Sequence, residues 1–207
     1  MTTSNGQVAR NDLSRNKQRT LLLSQAALLT ALAYVGFQFF RIDIPVGAGK
    51  TAFHFGNVFV MLGALLIGGL WGGLSGAIGL TIADLTSGYA HAAPPTFILK
   101  FGIGLIVGLV AEKVLHLSKD QEAKNWLWKA ALASGAGAVF NLLADPLVRM
   151  IWDNVFYGVP WEAAKILAKW GALTTLVNGV VAVIASTLLY LALRPALAKA
   201  GLFVRQD

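Results

Sequence analysis

The 207-residue chain contains no cysteine, which excludes disulfides, iron–sulfur clusters and thiolate metal sites. It is also poor in charge: Asp, Glu, Lys and Arg make up 13% of its residues, about half the ~25% of a soluble domain. No GxxxxGK[ST] phosphate loop occurs, so the chain encodes no ATPase of that kind. It has no HExxH and no spaced nucleophile–base pair, so no enzymatic chemistry is expected. What it does have is apolar sequence: 56% hydrophobic residues and a mean hydropathy of +0.63. Those values place it among polytopic membrane proteins.

Apolar runs predict six helices at 20–40, 53–70, 72–87, 95–115, 128–152 and 168–193. The runs lack a period-two alternation, and only helices and closed barrels satisfy their backbone in lipid. The expected fold is therefore all-α, a six-transmembrane-helix bundle. Residues 1–19 read as a polar, unstructured basic tail, 20–194 as the transmembrane domain and 195–207 as a second tail. The first apolar run continues past a small-x-small pattern at Ala31-Leu32-Ala33 for about 20 residues, a span rather than a cleaved signal.

The net charge of +7 follows topology and does not point to nucleic acid. Arg10, Arg15, Lys17 and Arg19 precede the first run. Lys113, Lys119, Lys124 and Lys129 surround the connection at 116–126, and Arg194, Lys199 and Arg205 follow the last run. With six spans these segments share one side, which the positive-inside rule assigns to the cytoplasm together with both termini.

Glycines recur at four-residue spacing: Gly68, Gly72 and Gly76, then Gly69 and Gly73, then Gly104 and Gly108. Small residues so spaced let helix backbones approach closely in lipid. Ala27 and Ala31 form a similar small face on the first helix. Spacing alone leaves open whether that face packs inside the bundle or docks another subunit.

Polar groups collect at one level, near the ends of the runs that lead to connections 41–52, 86–95 and 150–167. His54, Asn57, Asp84, His91 and Lys100 lie there, and Asp84 and Lys100 are placed to neutralise one another or to meet a ligand. On the fifth helix Asp145 and Arg149 stand at i,i+4 and share a face, with Pro146 between them predicting a kink and Asn141 one turn inward. Trp152, Phe156, Tyr157 and Trp161 fit an interfacial aromatic belt or a wall for a flat organic ligand. Asn57 and Asn178 read as amides bridging helices. A metal site of His54, His91 and Asp84 has no ligand spacing to support it.

The stretch 53–108 contains H-x-G-N-V-F (His54, Gly56, Asn57, Val58, Phe59), A-D-x-x-S-G-Y (Ala83, Asp84, Ser87, Gly88, Tyr89) and T-F-I-x-K (Thr96, Phe97, Ile98, Lys100). In these motifs, and in Ala27-xxx-Ala31, the chain resembles the substrate-binding S component of energy-coupling factor (ECF) transporters. Gly69-Leu70 departs from the Gly-Pro of many relatives. The resemblance implies a prokaryotic cell-membrane subunit that captures a water-soluble vitamin or precursor at its outer end. It would associate with a transmembrane coupling subunit and two ATPases, and would carry no cofactor. Ala27 and Ala31 then become the docking face. His54, Asn57, Asp84, Tyr89, Lys100, Asn141, Asp145, Arg149 and Trp152 become the substrate contacts. Met1-Thr2 differs from the Met-His start of nickel and cobalt branches, and relatives are linked to pyridoxine, hydroxymethylpyrimidine and cobalamin. The alternative reading is a self-sufficient secondary transporter or channel, which the lack of an evident inverted repeat disfavours. A membrane scaffold without ligand is the third.

Overall fold

The computed structural model describes residues 3–46 and 49–203, with side chains described from residue 15 onward, Gly49 excepted. Six α-helices carry the fold: α1 Thr3–Gln38, α2 Gly56–Ile67, α3 Gly69–Thr86, α4 Ala93–Leu109, α5 Ala123–Tyr157 and α6 Trp161–Lys199. Between α1 and α2 lies an antiparallel hairpin, β1 Arg41–Val46 and β2 Gly49–His54. Three helical segments are long and apolar enough to cross a membrane by length and composition: Arg15–Gln38, Ala123–Tyr157 and Trp161–Lys199. With 12 residues, α2 extends only about 18 Å, against a hydrocarbon core of ~30 Å.

The surface has the polarity expected of a protein solvated by lipid. Leu132, Val139, Leu143, Leu147 and Ile151 on α5, and Leu176, Val180, Ile184 and Leu188 on α6, are all exposed. Small and polar groups face inward instead. Ser134 and Ser186 are fully buried, with their hydroxyls hydrogen-bonded across α5 and α6 at 3.1 Å.

Glycine spacing translates directly into helix contact. A Cβ on Gly104 would lie 2.2 Å from the Cα of Gly73, and one on Gly108 would lie 2.3 Å from the Cα of Gly69. The backbones of α3 and α4 therefore touch along a small-xxx-small seam. A second glycine face of α3 meets α2, where a Cβ on Gly72 would strike the backbone of Gly63 and Ala64. These two seams fix the ends of α2, α3 and α4 relative to one another.

Several elements differ from the sequence expectation. Helix α1 starts at Thr3 rather than at residue 20, with no proline to interrupt the polar stretch. Met1 and Thr2 lie outside the described residues, as do residues 204–207 of the second tail. The rest of that tail continues α6 to Lys199. The broad connection expected at 150–167 is reduced to residues 158–160. Gly158 adopts φ +64°, its N–H donates to Asn154 O and that of Val159 to Asp153 O. This closes α5 as a left-handed glycine cap does. On the α6 side, Glu162, Ala163, Ala164 and Lys165 are good helix formers in a stretch too polar to register as span. The hairpin was not expected.

Candidate functional site

Local structure brings the polar ends of these elements together. Helix α3 ends at Asp84–Ser87, where the Asp84 carbonyl accepts from the N–H groups of Ser87 (3.4 Å) and Tyr89 (3.1 Å). A short 3-10 turn, Ala90–Ala92, leads into α4 with Pro94 and Pro95 in its first turn, where missing N–H groups cost nothing. Lys100 follows within α4.

The hairpin folds back over this end. Asn178 of α6 donates to Ala52 O (2.9 Å) and accepts from His54 N–H (3.0 Å). A single side-chain amide thereby satisfies the free edge of β2, which would otherwise leave orphan backbone groups. Thr51 and Thr174 share a hydroxyl hydrogen bond of 2.7 Å. On the other side, Tyr89 donates its hydroxyl to Asp43 (2.9 Å) and Lys50 stands 4.1 Å from the Tyr89 ring centroid. Arg41 and Asp43 form an ion pair at 2.7 Å.

Under the hairpin lies a cavity of about 130 Å³. His54, Asn57, Asp84, Tyr89, Lys100, Asp145 and Arg149 all line it. Asp145 and Arg149 form an ion pair at 2.9 Å. Thr175 donates to the second oxygen of Asp145 (3.2 Å), and Arg149 also donates to Thr96 (3.2 Å). Pro146, which breaks the N–H ladder of α5 between them, lines the same space.

Asp84 and Lys100 are different. They are 4% and 5% exposed, yet among the described residues neither takes part in an ion pair within 4.0 Å. The Oδ2 of Asp84 and the Oδ1 of Asn57, itself 2% exposed, have no hydrogen-bond partner. The expected mutual neutralisation of Asp84 and Lys100 is thus not a direct contact. Buried polar atoms are almost always paired, and these two orphans belong to residues that line the cavity.

His54 lies in the hairpin with Nδ1 accepting from Gly56 N–H at 3.1 Å. Burial first, then the positive charges of Lys100 and Arg149, lower its pKa to about 3. It is a neutral imidazole at physiological pH.

Two expected contacts are not brought to the cavity. Asn141 is buried at 2% exposure on α5 but does not line it. Trp152 lies outside it too: its indole N–H donates to His91 O at 2.9 Å and its ring stacks on Phe156. Sequence reasoning gave no cavity role to Lys50, Thr51, Thr174, Thr175 or Asp153, which do line it. The Thr174-Thr175-Asn178 run, polar and one turn long inside an apolar helix, was the signal available. No group of three or more His, Cys, Asp or Glu able to hold a metal occurs among the described residues.

The helical bundle thus carries a charged cavity at one end, beneath the hairpin. Residues 17–195 match the profile of the ECF-type riboflavin transporter S component family, and the chain belongs to that family. S components of ECF transporters bind a vitamin and work with a coupling subunit and ATPases; they are not enzymes. Among solved structures, the chain is similar to the S component for biotin from an ECF-type ABC transporter. The TM-score is 0.56 at 21% identity, over 84% of this chain and 93% of that one. A protein of Pyrococcus woesei, described as an uncharacterized protein in the gap 3′ region, is 39% identical over 67 residues. That match covers 32% of this chain and 45% of the relative.

Proposed function

We propose that the chain is the substrate-binding subunit of an ATP-driven importer. It captures a water-soluble vitamin or precursor, of the pyridoxine, hydroxymethylpyrimidine or cobalamin type, outside a prokaryotic cell membrane. The observation that carries this reading is the cavity at one end of the bundle, lined by buried Lys100 and by Asp84 and Asn57, whose Oδ2 and Oδ1 have no hydrogen-bond partner. Family membership supports the assembly: a transmembrane coupling subunit and two ATPases on separate chains.

Orientation follows from charge. Lys113, Lys119, Lys124 and Lys129 lie in or beside the α4–α5 connection, which Arg194 of α6 contacts directly. The cavity is at the other end. Six passes with the basic end in the cytoplasm and the cavity outside agree with the positive-inside rule.

Docking is assigned to α1. Ala27 and Ala31 are exposed while Leu29 and Ala33, on the opposite face, are buried. A small, outward stripe admits a partner helix closely. Two tryptophans there would overpack such a contact by ~1–3 kcal/mol or more. The Ala27→Trp/Ala31→Trp protein is therefore expected to keep vitamin affinity, fail to co-purify with the coupling subunit and lose transport.

The deciding experiment is reconstitution in liposomes with labelled vitamin. The solitary protein is expected to bind but not concentrate it, and addition of the coupling subunit, both ATPases and ATP is expected to restore uptake. Concentrative uptake by the solitary protein would establish a self-sufficient transporter instead.

A further inference from the structure

The cavity's size, charge balance and orphan atoms together describe a particular cargo. We infer that this site takes an uncharged cargo built on a single nitrogen heterocycle, with N–H or O–H donors for Asp84 and Asn57 and an acceptor for Lys100. The inference rests on the reading of the chain as a vitamin-binding subunit and narrows it.

Size comes first. A cavity of ~150 Å³ in a protein core holds one benzene ring, and this one measures about 130 Å³. One six-membered ring with short substituents fits. A three-ring flavin or a corrin exceeds that volume, and the hairpin over the cavity is held to Thr174 and Asn178 at 2.7–3.0 Å.

Charge comes second. The ionisable walls are balanced, with Lys50, Lys100 and Arg149 against Asp84, Asp145 and Asp153. Arg149 is committed to Asp145. A cargo bearing a carboxylate or phosphate would gain Lys100 but leave Asp84 as a buried like charge, and unpaired charges in an apolar interior are costly. An uncharged cargo meets both.

Polarity comes third. The orphan atoms Asp84 Oδ2 and Asn57 Oδ1 are both acceptors, so the cargo supplies hydrogen to each. Lys100 has donors only and makes no hydrogen bond among the described residues, so the cargo supplies a lone pair. Phe37 and Tyr89, 5% and 6% exposed and set edge-on at 5.8 Å, furnish the apolar wall for a flat ring. A ring nitrogen next to an amino or hydroxymethyl group satisfies all of these demands.

Calorimetric titration of the purified full chain in detergent tests this with five probes: hydroxymethylpyrimidine and pyridoxine (one ring, uncharged overall), pyridoxal phosphate (one ring, anionic), biotin (carboxylate) and riboflavin (three rings). At least one of the first two is expected to bind about tenfold or more tighter than the other three. Asp84→Asn and Lys100→Met are each expected to weaken that binding about five- to 150-fold, the range for one lost buried polar contact. Tighter binding of riboflavin, biotin or the phosphate overturns the inference and leaves the vitamin-binding reading intact. Failure of a folded protein to bind any of the five probes overturns the inference, while the vitamin-binding reading stands or falls on the liposome experiment.

Discussion

Two cations are buried to nearly the same degree at opposite ends of this bundle, Lys100 at 5% exposure and Arg194 at 6%, and their surroundings differ completely. Arg194 donates to the carbonyls of Leu117 (2.9 Å), Ser118 (3.2 Å) and Asp120, and to the Tyr190 hydroxyl (3.0 Å). Its guanidinium also stands over the rings of Trp126 (4.0 Å), Phe203 (5.4 Å) and Tyr190 (5.7 Å). Lys100 has neither an ion pair nor a hydrogen bond among the described residues. A planar fork of donors suits a permanent clamp, whereas a compact ammonium is readily left for a ligand. One end of the molecule uses its charge to hold the α4–α5 connection on α6. The other leaves its charge without a partner among the described residues, in keeping with the recognition role proposed for it.

The comparison breaks most visibly at the clamp. Arg194→Met strands buried carbonyls, each worth ~1–3 kcal/mol when left unsatisfied, and is expected to lower the thermal midpoint strongly. The surviving folded protein, about 24 Å along α6 from Asn178, should bind vitamin with unchanged affinity. Parallel loss of affinity in the folded fraction would mean that the two ends are not independent.

A smaller effect, and a mixed one, is expected between the two ends. Gly104→Val places a side chain against the Gly73 backbone and wedges α4 from α3, costing ~1–3 kcal/mol. Because α3 carries Asp84 and α4 carries Lys100, stability and affinity should both decline. Melting curves and titrations on one preparation separate this outcome from the clamp variant, which moves stability alone.

The smallest effect concerns His54. Its folded-state pKa of about 3 lies below the ordinary 6.5. The unfolded chain therefore binds a proton first as pH drops, and stability is lost progressively below about 6.5. Melting at pH 7 and pH 5 should show a larger drop for the parent than for His54→Gln. Equal drops would show that His54 is protonated in the fold.

Much of this was readable in the sequence because lipid simplifies the code. The glycine repeats predicted backbone contact between helices and the structure has it at Gly73–Gly104 and Gly69–Gly108. Polar groups in apolar runs are scarce, so Asp84, Lys100, Asp145 and Arg149 stood out, and all four line one cavity. What was not readable depends on contacts distant in sequence. The hairpin at 41–54 holds its second strand with Asn178 and Thr174 from the last helix, partners that no local pattern announces. Asn178 was read as helix–helix glue, and its amide instead completes the strand edge. Asn141 shares a helix face with Asp145, but one turn inward it passes below the cavity floor, a depth that periodicity does not report.

The central claim is that the polar groups at the cavity end serve the cargo and not the fold, and the ligand-free thermal midpoint of Lys100→Met tests it most directly. Replacing an unpaired buried ammonium with an apolar chain of similar length removes a desolvation cost without removing a hydrogen bond. The account predicts that ligand-free Lys100→Met melts at or above the parent temperature while its vitamin affinity falls. A midpoint well below that of the parent, approaching that of Arg194→Met, would contradict it and make Lys100 a structural cation like the one at the other end.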